Sequence, residues 1–200
     1  MVCKVGGFPV FRHNLIRDFT AECLQEVCTD VETEPSLQPL SGERFHYSTT
    51  RTNDGDQPDV RARGFWDNPW QDCYLDVRIF HPDGPSYHRS GPASLYRRFE
   101  MEKKRQYDER VRQIELGSFT PIVLSTYGGM SPKASAFFCR LAGLIANKKD
   151  QRYSLVITWL RKRLSVLLLQ SVLTCLRGTR HCRVARSGLN QVACHDCHIV

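Results

Sequence analysis

Apolar residues recur at helical spacing through Leu15, Ile16, Phe19, Cys23, Leu24 and Val27, which predicts a helix from Asn14, a good N-cap, to about Cys28. Val31 to Glu34 reads as a short strand ended by Pro35. Leu37 to Asp56 is polar and turn-rich, a loop or a ragged hairpin. The period then becomes two: Leu75, Val77 and Ile79 alternate with Asp76 and Arg78, so a strand turns one apolar row to the core and sets the carboxylate and the guanidinium on the same face. Gly64 to Asp72, with a glycine, a proline and two aspartates, predicts a hairpin loop. That loop brings the preceding strand back and lays Asp59 near Asp76.

His81 to Pro92 is a proline- and glycine-rich connection, and Ser94 to Glu115 has the composition of a long polar helix. Phe119 to Ser125 reads as a buried strand, and Pro132 to Asn147 and Tyr153 to Leu176 as two further helices. The order is helix, three strands, helix, strand, two helices, an α/β chain with no internal repeat. Gly178 is placed to cap the last helix, so the domain is expected over 1–178 and an irregular tail over 179–200.

Two hundred residues suit one domain with a sizeable core. Lys and Arg number 28 against 21 Asp and Glu. The excess is concentrated between Lys133 and Arg186, where Asp150 is the lone acid and Arg161, Lys162 and Arg163 are consecutive. A basic C-terminal third points to a polyanionic partner. Nine cysteines without a secretory signal favour reduced thiols in the nucleus or cytoplasm over a disulfide framework. The longest uncharged apolar run, Leu164 to Leu176, is too short to span a bilayer. Cys194, Cys197, His195 and His198, with His181 and Cys182 upstream, offer a zinc-like set, but one C-x-x-C at a chain end is weak support and no structural zinc is expected there.

Two aspartates on neighbouring strands with a cation on the same face suit a hard divalent ion, Mg²⁺ or Mn²⁺, held against a phosphodiester. Asp59 and Asp76 are the candidate ligands, Glu34 a possible outer carboxylate, and Arg78 either a charge-balancing group or an ion-pair partner of one aspartate. His13 can serve as a helix-end hydrogen-bonding group or belong to the site.

Arg12-His13-Asn14, Glu34-Pro35, Pro58-Asp59-Val60, Asp76-Val77-Arg78-Ile79-Phe80 and Lys103-Lys104 with Tyr107, in that order, resemble the signature of the restriction-like endonuclease domain found downstream of the reverse transcriptase in non-LTR retrotransposons. The resemblance covers roughly Phe8 to Tyr107, and extends more distantly to archaeal Holliday-junction resolvases. It implies a restriction-endonuclease-like core of helix, three-stranded meander, helix and strand, here with two additional C-terminal helices. It implies a metal-dependent DNA endonuclease that nicks its target to expose a 3′-hydroxyl, with DNA as partner and a reverse transcriptase and its RNA supplied in trans.

By the same resemblance Asp59, Asp76 and Arg78 are catalytic, and Arg12, His13, Lys103, Lys104 and Tyr107 contact nucleic acid, joined by Arg161, Lys162 and Arg163 on charge alone. The chain departs from the pattern in three ways. Arg78 stands where lysine is usual, Asp76 where glutamate is commoner, and most of the zinc knuckle that precedes Arg-His-Asn in the family is missing ahead of Arg12. An arginine cannot act as a general base. The alternative is a catalytically inactive, nucleic-acid-binding remnant.

Overall fold

The computed structural model describes residues 7–38, 57–87 and 90–184, with side chains described as far as Arg177. Helix α1 (Phe8–Gln25) leads into strands β1 (Val31–Thr33), β2 (Val60–Arg63) and β3 (Asp72–Phe80); helix α2 (Pro92–Gln113) crosses to β4 (Ser118–Ser125), and helices α3 (Pro132–Lys148) and α4 (Tyr153–Val184) follow. The strands form one mixed sheet in the order β1-β2-β3-β4, antiparallel except for the parallel pair β3 and β4. A parallel neighbour requires a crossover, and α2 supplies it.

The alternation of β3 sorts the two faces. Cys73, Leu75 and Val77 enter the main core with Ile16, Leu24, Phe137 and Leu160 from α1, α3 and α4. Tyr74 and Phe80 point the other way, into smaller clusters under α2 with Tyr107, Val111, Leu95 and Phe99. With both faces covered, all of β4 after Ser118 is buried, which is why it reads as a continuous apolar run rather than an alternating one. Pro121 is tolerated because β4 is the edge of the sheet.

Two expectations need correcting. Helix α1 starts at Phe8, not Asn14: Gly7 stands at its N-cap and Pro9 in its first turn, and a first-turn proline gives up an N–H that would be unpaired there anyway. Asn14 lies inside the helix and its side chain serves His13. At the other end, α4 does not stop at Gly178 but continues to Val184, since one interior glycine costs only about 1 kcal/mol against a long helix. Most of the loop expected at 37–56 and the Cys/His end beyond Val184 lie outside the described residues. Cys23, Cys28, Cys73 and Cys139 are free thiols; burial pushes the first to about 12 and Cys73 to about 11, which leaves both unreactive. Among the described residues no helix is long and apolar enough to cross a membrane.

Candidate active site

The site begins with a proline. Strand β2 pairs with β3 only as far as Val60 opposite Leu75, whereas β3 continues to Phe80 beside β4. The Asp59 N–H still reaches Leu75 O at 2.8 Å, but Pro58 has no N–H to continue the ladder. Past the last paired residues of β2 the Val77 N–H takes a side chain instead of a strand carbonyl, donating to Oδ2 of Asp59. The Pro-Asp pair thus ends β2 and turns its carboxylate onto β3. One strand further out, the Glu34 N–H donates to Asp59 O at 2.8 Å, with Glu34 at φ 53°. Glu34, Asp59 and Asp76 consequently stand in one row across three strands.

Two helices flank this row. From α1, His13 Nε2 lies 3.0 Å from Asp59 Oδ2, and its Nδ1 lies 3.3 Å from Asn14 Oδ1. Both ring nitrogens thereby face acceptor oxygens, the arrangement of an imidazolium. Burial would lower the His13 pKa, but the hydrogen bond and charge of Asp59 more than offset it and the net shift is upward. From α2, Lys103 Nζ sits 3.1 Å from Oδ1 and 3.0 Å from Oδ2 of the buried Asp76. The geometry to Oδ2 is that of an ion pair without a hydrogen bond, so Oδ2 keeps no hydrogen-bond partner among the described residues. Burial first and the facing Asp59 charge second push the Asp76 carboxyl up from 3.8 to about 6, against the pull of Lys103.

The remaining predicted residues divide. Arg78 does share the face of Asp76, but it is drawn along α2: Nη1 donates to Glu102 at 2.7 Å and the guanidinium lies 4.0 Å from the Phe99 ring centroid. The cation on the carboxylates is Lys103, not Arg78. Tyr107 is corrected from a nucleic-acid contact to a buried tether, because its hydroxyl donates to Gln57 O at 3.2 Å, just ahead of Pro58. Glu34 is exposed and held by Arg17 of α1, so its side chain is not gathered with the aspartates. Lys104 is half-buried beside Lys103.

Arg12 lines a cavity of about 900 Å³ with Arg78, His81 and Tyr127. Its Nε is buried without a hydrogen-bond partner among the described residues, and burial lowers its pKa. Arg161, Lys162 and Arg163 are exposed on α4, which packs on α1 and α3.

No group of three or more His, Cys, Asp or Glu side chains is assembled for a metal among the described residues. Two carboxylates nevertheless fit Mg²⁺, which keeps several waters and takes one or two protein carboxylates plus substrate oxygens. The observation that bears on the fit is Asp76 Oδ2, a buried oxygen without a hydrogen bond among the described residues, its charge met by Lys103 Nζ at 3.0 Å, in a carboxyl that burial and then Asp59 make harder to ionise. The pairing of Lys103 with Asp76 and of His13 with Asp59 had no signal in spacing along the chain, since 27 and 46 residues separate the partners. No protein-family model and no curated protein matches the chain.

Proposed function

We propose that the chain is a divalent-metal-dependent DNA endonuclease module with a restriction-endonuclease-like core, derived from a retrotransposon. The observation that carries this reading is the opposition of Asp59 and Asp76 at the opened end of the β2–β3 ladder, with Lys103 on one carboxylate. Asp59 and Asp76 would hold the cation, which when bound polarises the phosphodiester and lowers the pKa of water beside it.

His13 orients Asp59 and neutralises part of its charge. Lys103 does the same for Asp76 and, as a compact cation on a mobile stem, offsets the extra negative charge that a phosphate gains when water attacks phosphorus and the bond to the 3′ oxygen breaks. Arg78 supports α2 through Glu102 and Phe99 rather than acting at phosphorus. Arg12, which lines the cavity and is next to His13 in the chain, and Lys104, next to Lys103 on α2, are assigned to DNA phosphates.

The test is nicking of supercoiled plasmid with Mg²⁺ or Mn²⁺ by the purified chain. Wild type is expected to nick, and Asp59→Asn and Asp76→Asn to abolish nicking while the chain stays folded by circular dichroism. The rival reading, an inactive DNA-binding remnant, is favoured by the tie of Arg78 to Glu102 and predicts DNA binding with no nicking by any variant. Undiminished nicking by Asp76→Asn would remove the site from the reaction.

A further inference from the structure

Helix α4 has two apolar faces; the fold buries one and only edges onto the other, where Trp159 meets the Phe19 ring of α1 at 6.0 Å between centroids. Val156, Leu160, Leu164, Leu167 and Leu168 are buried in the main core. Leu155, Trp159, Val166, Leu169, Leu173 and Leu176 lie on the outside, from 37% exposed at Leu176 to 64% at Leu155. Their successive separations are 4, 7, 3, 4 and 3 residues, and Lys162, also exposed, divides the step of 7 into 3 and 4. With Lys162 in that place the row keeps a 3.5-residue repeat, the period of a seam between two helices rather than of one helix on a globular core. The seam covers three heptads, about 32 Å at 1.5 Å per residue. Singly scattered apolar side chains need no explanation on a surface; a continuous row of this length does.

Charge selects the occupant. From Tyr153 to Val184 the helix carries Arg161, Lys162, Arg163, Arg177, Arg180 and Arg183 and no acid. Lys162 occupies a seam position, and Arg163 and Arg177 stand immediately beside it, where flanking residues choose partners. A second copy would set two such helices, each without an acid, against one another. A DNA backbone would answer the charges but leave the leucines wet. A helix with apolar residues in heptad register and carboxylates on its flanks answers both features.

We propose that the outer face of α4 docks an acidic amphipathic helix of another protein. Its apolar residues pack along Leu155 to Leu176 and its carboxylates pair with Lys162, Arg163 and Arg177. This surface is independent of the aspartate site. Leu169 and Leu176 also border the cavity beside Arg12, so a docked helix would run along the cavity mouth.

The full chain, without metal, is titrated by calorimetry with a designed peptide of about 28 residues bearing Leu at a and d and Glu at e and g, and with a scrambled peptide of the same composition. The heptad peptide is expected to bind at least about tenfold more tightly than the scrambled one, and more weakly as salt rises. Leu169→Asp with Leu173→Asp should remove the difference while the melting temperature holds, because both side chains are exposed. Arg163→Ala with Arg177→Ala should remove most of the salt dependence. Equal binding of the two peptides, or peptide binding unaffected by the paired aspartates, overturns the proposal. So does a chain whose mass in solution is that of a dimer that Leu169→Asp with Leu173→Asp converts to monomer, since the seam then serves a second copy.

Discussion

Burial and the neighbouring Asp59 hold the Asp76 carboxyl at about 6 rather than 3.8, so the folded chain binds a proton there more tightly than the unfolded chain does. The sign follows from linkage: an acid raised on folding stabilises below its ordinary pKa, and that contribution is lost as pH climbs from about 4 to about 6. In metal-free buffer, wild type should therefore lose stability relative to Asp76→Asn across that window, by an amount on the order of 2 kcal/mol. Thermal melts at pH 4.5 and pH 7.5 read this directly. A difference between the two proteins that does not change with pH would show that neither burial nor Asp59 holds the Asp76 carboxyl above its ordinary value. Adding Mg²⁺ at pH 7.5 should raise the wild-type melting temperature and leave that of Asp76→Asn unmoved. Lys103→Met should lower nicking by about 10²-fold, as for loss of one donor at a developing charge, and Arg78→Lys by much less, because Arg78 is spent on Glu102 and Phe99. Equal losses in single-turnover assays would restore Arg78 to the reaction.

Among the elements, α4 is where local signals and outcome diverge most. Gly178 resembles a helix stop, and the helix passes through it to Val184. An interior glycine and a left-handed cap respond oppositely to alanine: Gly178→Ala should raise stability by about 0.5 to 1 kcal/mol in a helix interior. A loss of that size in a denaturant melt would mean that the helix ends there. At β2 the element boundary is itself functional. Pro58 stops the ladder and Asp59 replaces it with a side chain, so Pro58→Ala is expected to disturb the placement of the Asp59 carboxylate more than the stability of the sheet.

For the whole molecule, the basic excess is divided between two surfaces rather than pooled. Lys103 and Lys104 stand on α2, Lys103 on Asp76 itself, and Arg12 lines the cavity and is next to His13 in the chain, whereas Arg161, Lys162 and Arg163 lie exposed on α4, which packs on α1 and α3. If the first group alone meets phosphates, the log of DNA affinity should fall with the log of salt at a slope of about −3. Substituting all three of Arg161, Lys162 and Arg163 by alanine should then leave that slope unchanged in fluorescence anisotropy; a slope reduced by the substitution would carry DNA across α4.

Period-two alternation at Leu75 to Ile79, the glycine and proline of the Gly64 to Asp72 loop, and the helical spacing of α1, α3 and α4 are local properties of the chain. They determined the α/β order of elements and the return of Asp59 toward Asp76, because backbone period and turn chemistry act over a few residues. Sequence alone misplaces the start of α1 at Asn14, whose cap-like side chain outweighs the first-turn signal of Pro9. Only the tertiary structure decided which cation meets which carboxylate. Arg78 and Lys103 both face the α2 side, and whether Asp76 pairs with one or the other depends on how α2 crosses the sheet, which packing of Phe99, Tyr107 and Val111 sets at long range. The same packing left the apolar side chains of a heptad row of α4 partly exposed, which sequence periodicity alone could not distinguish from core.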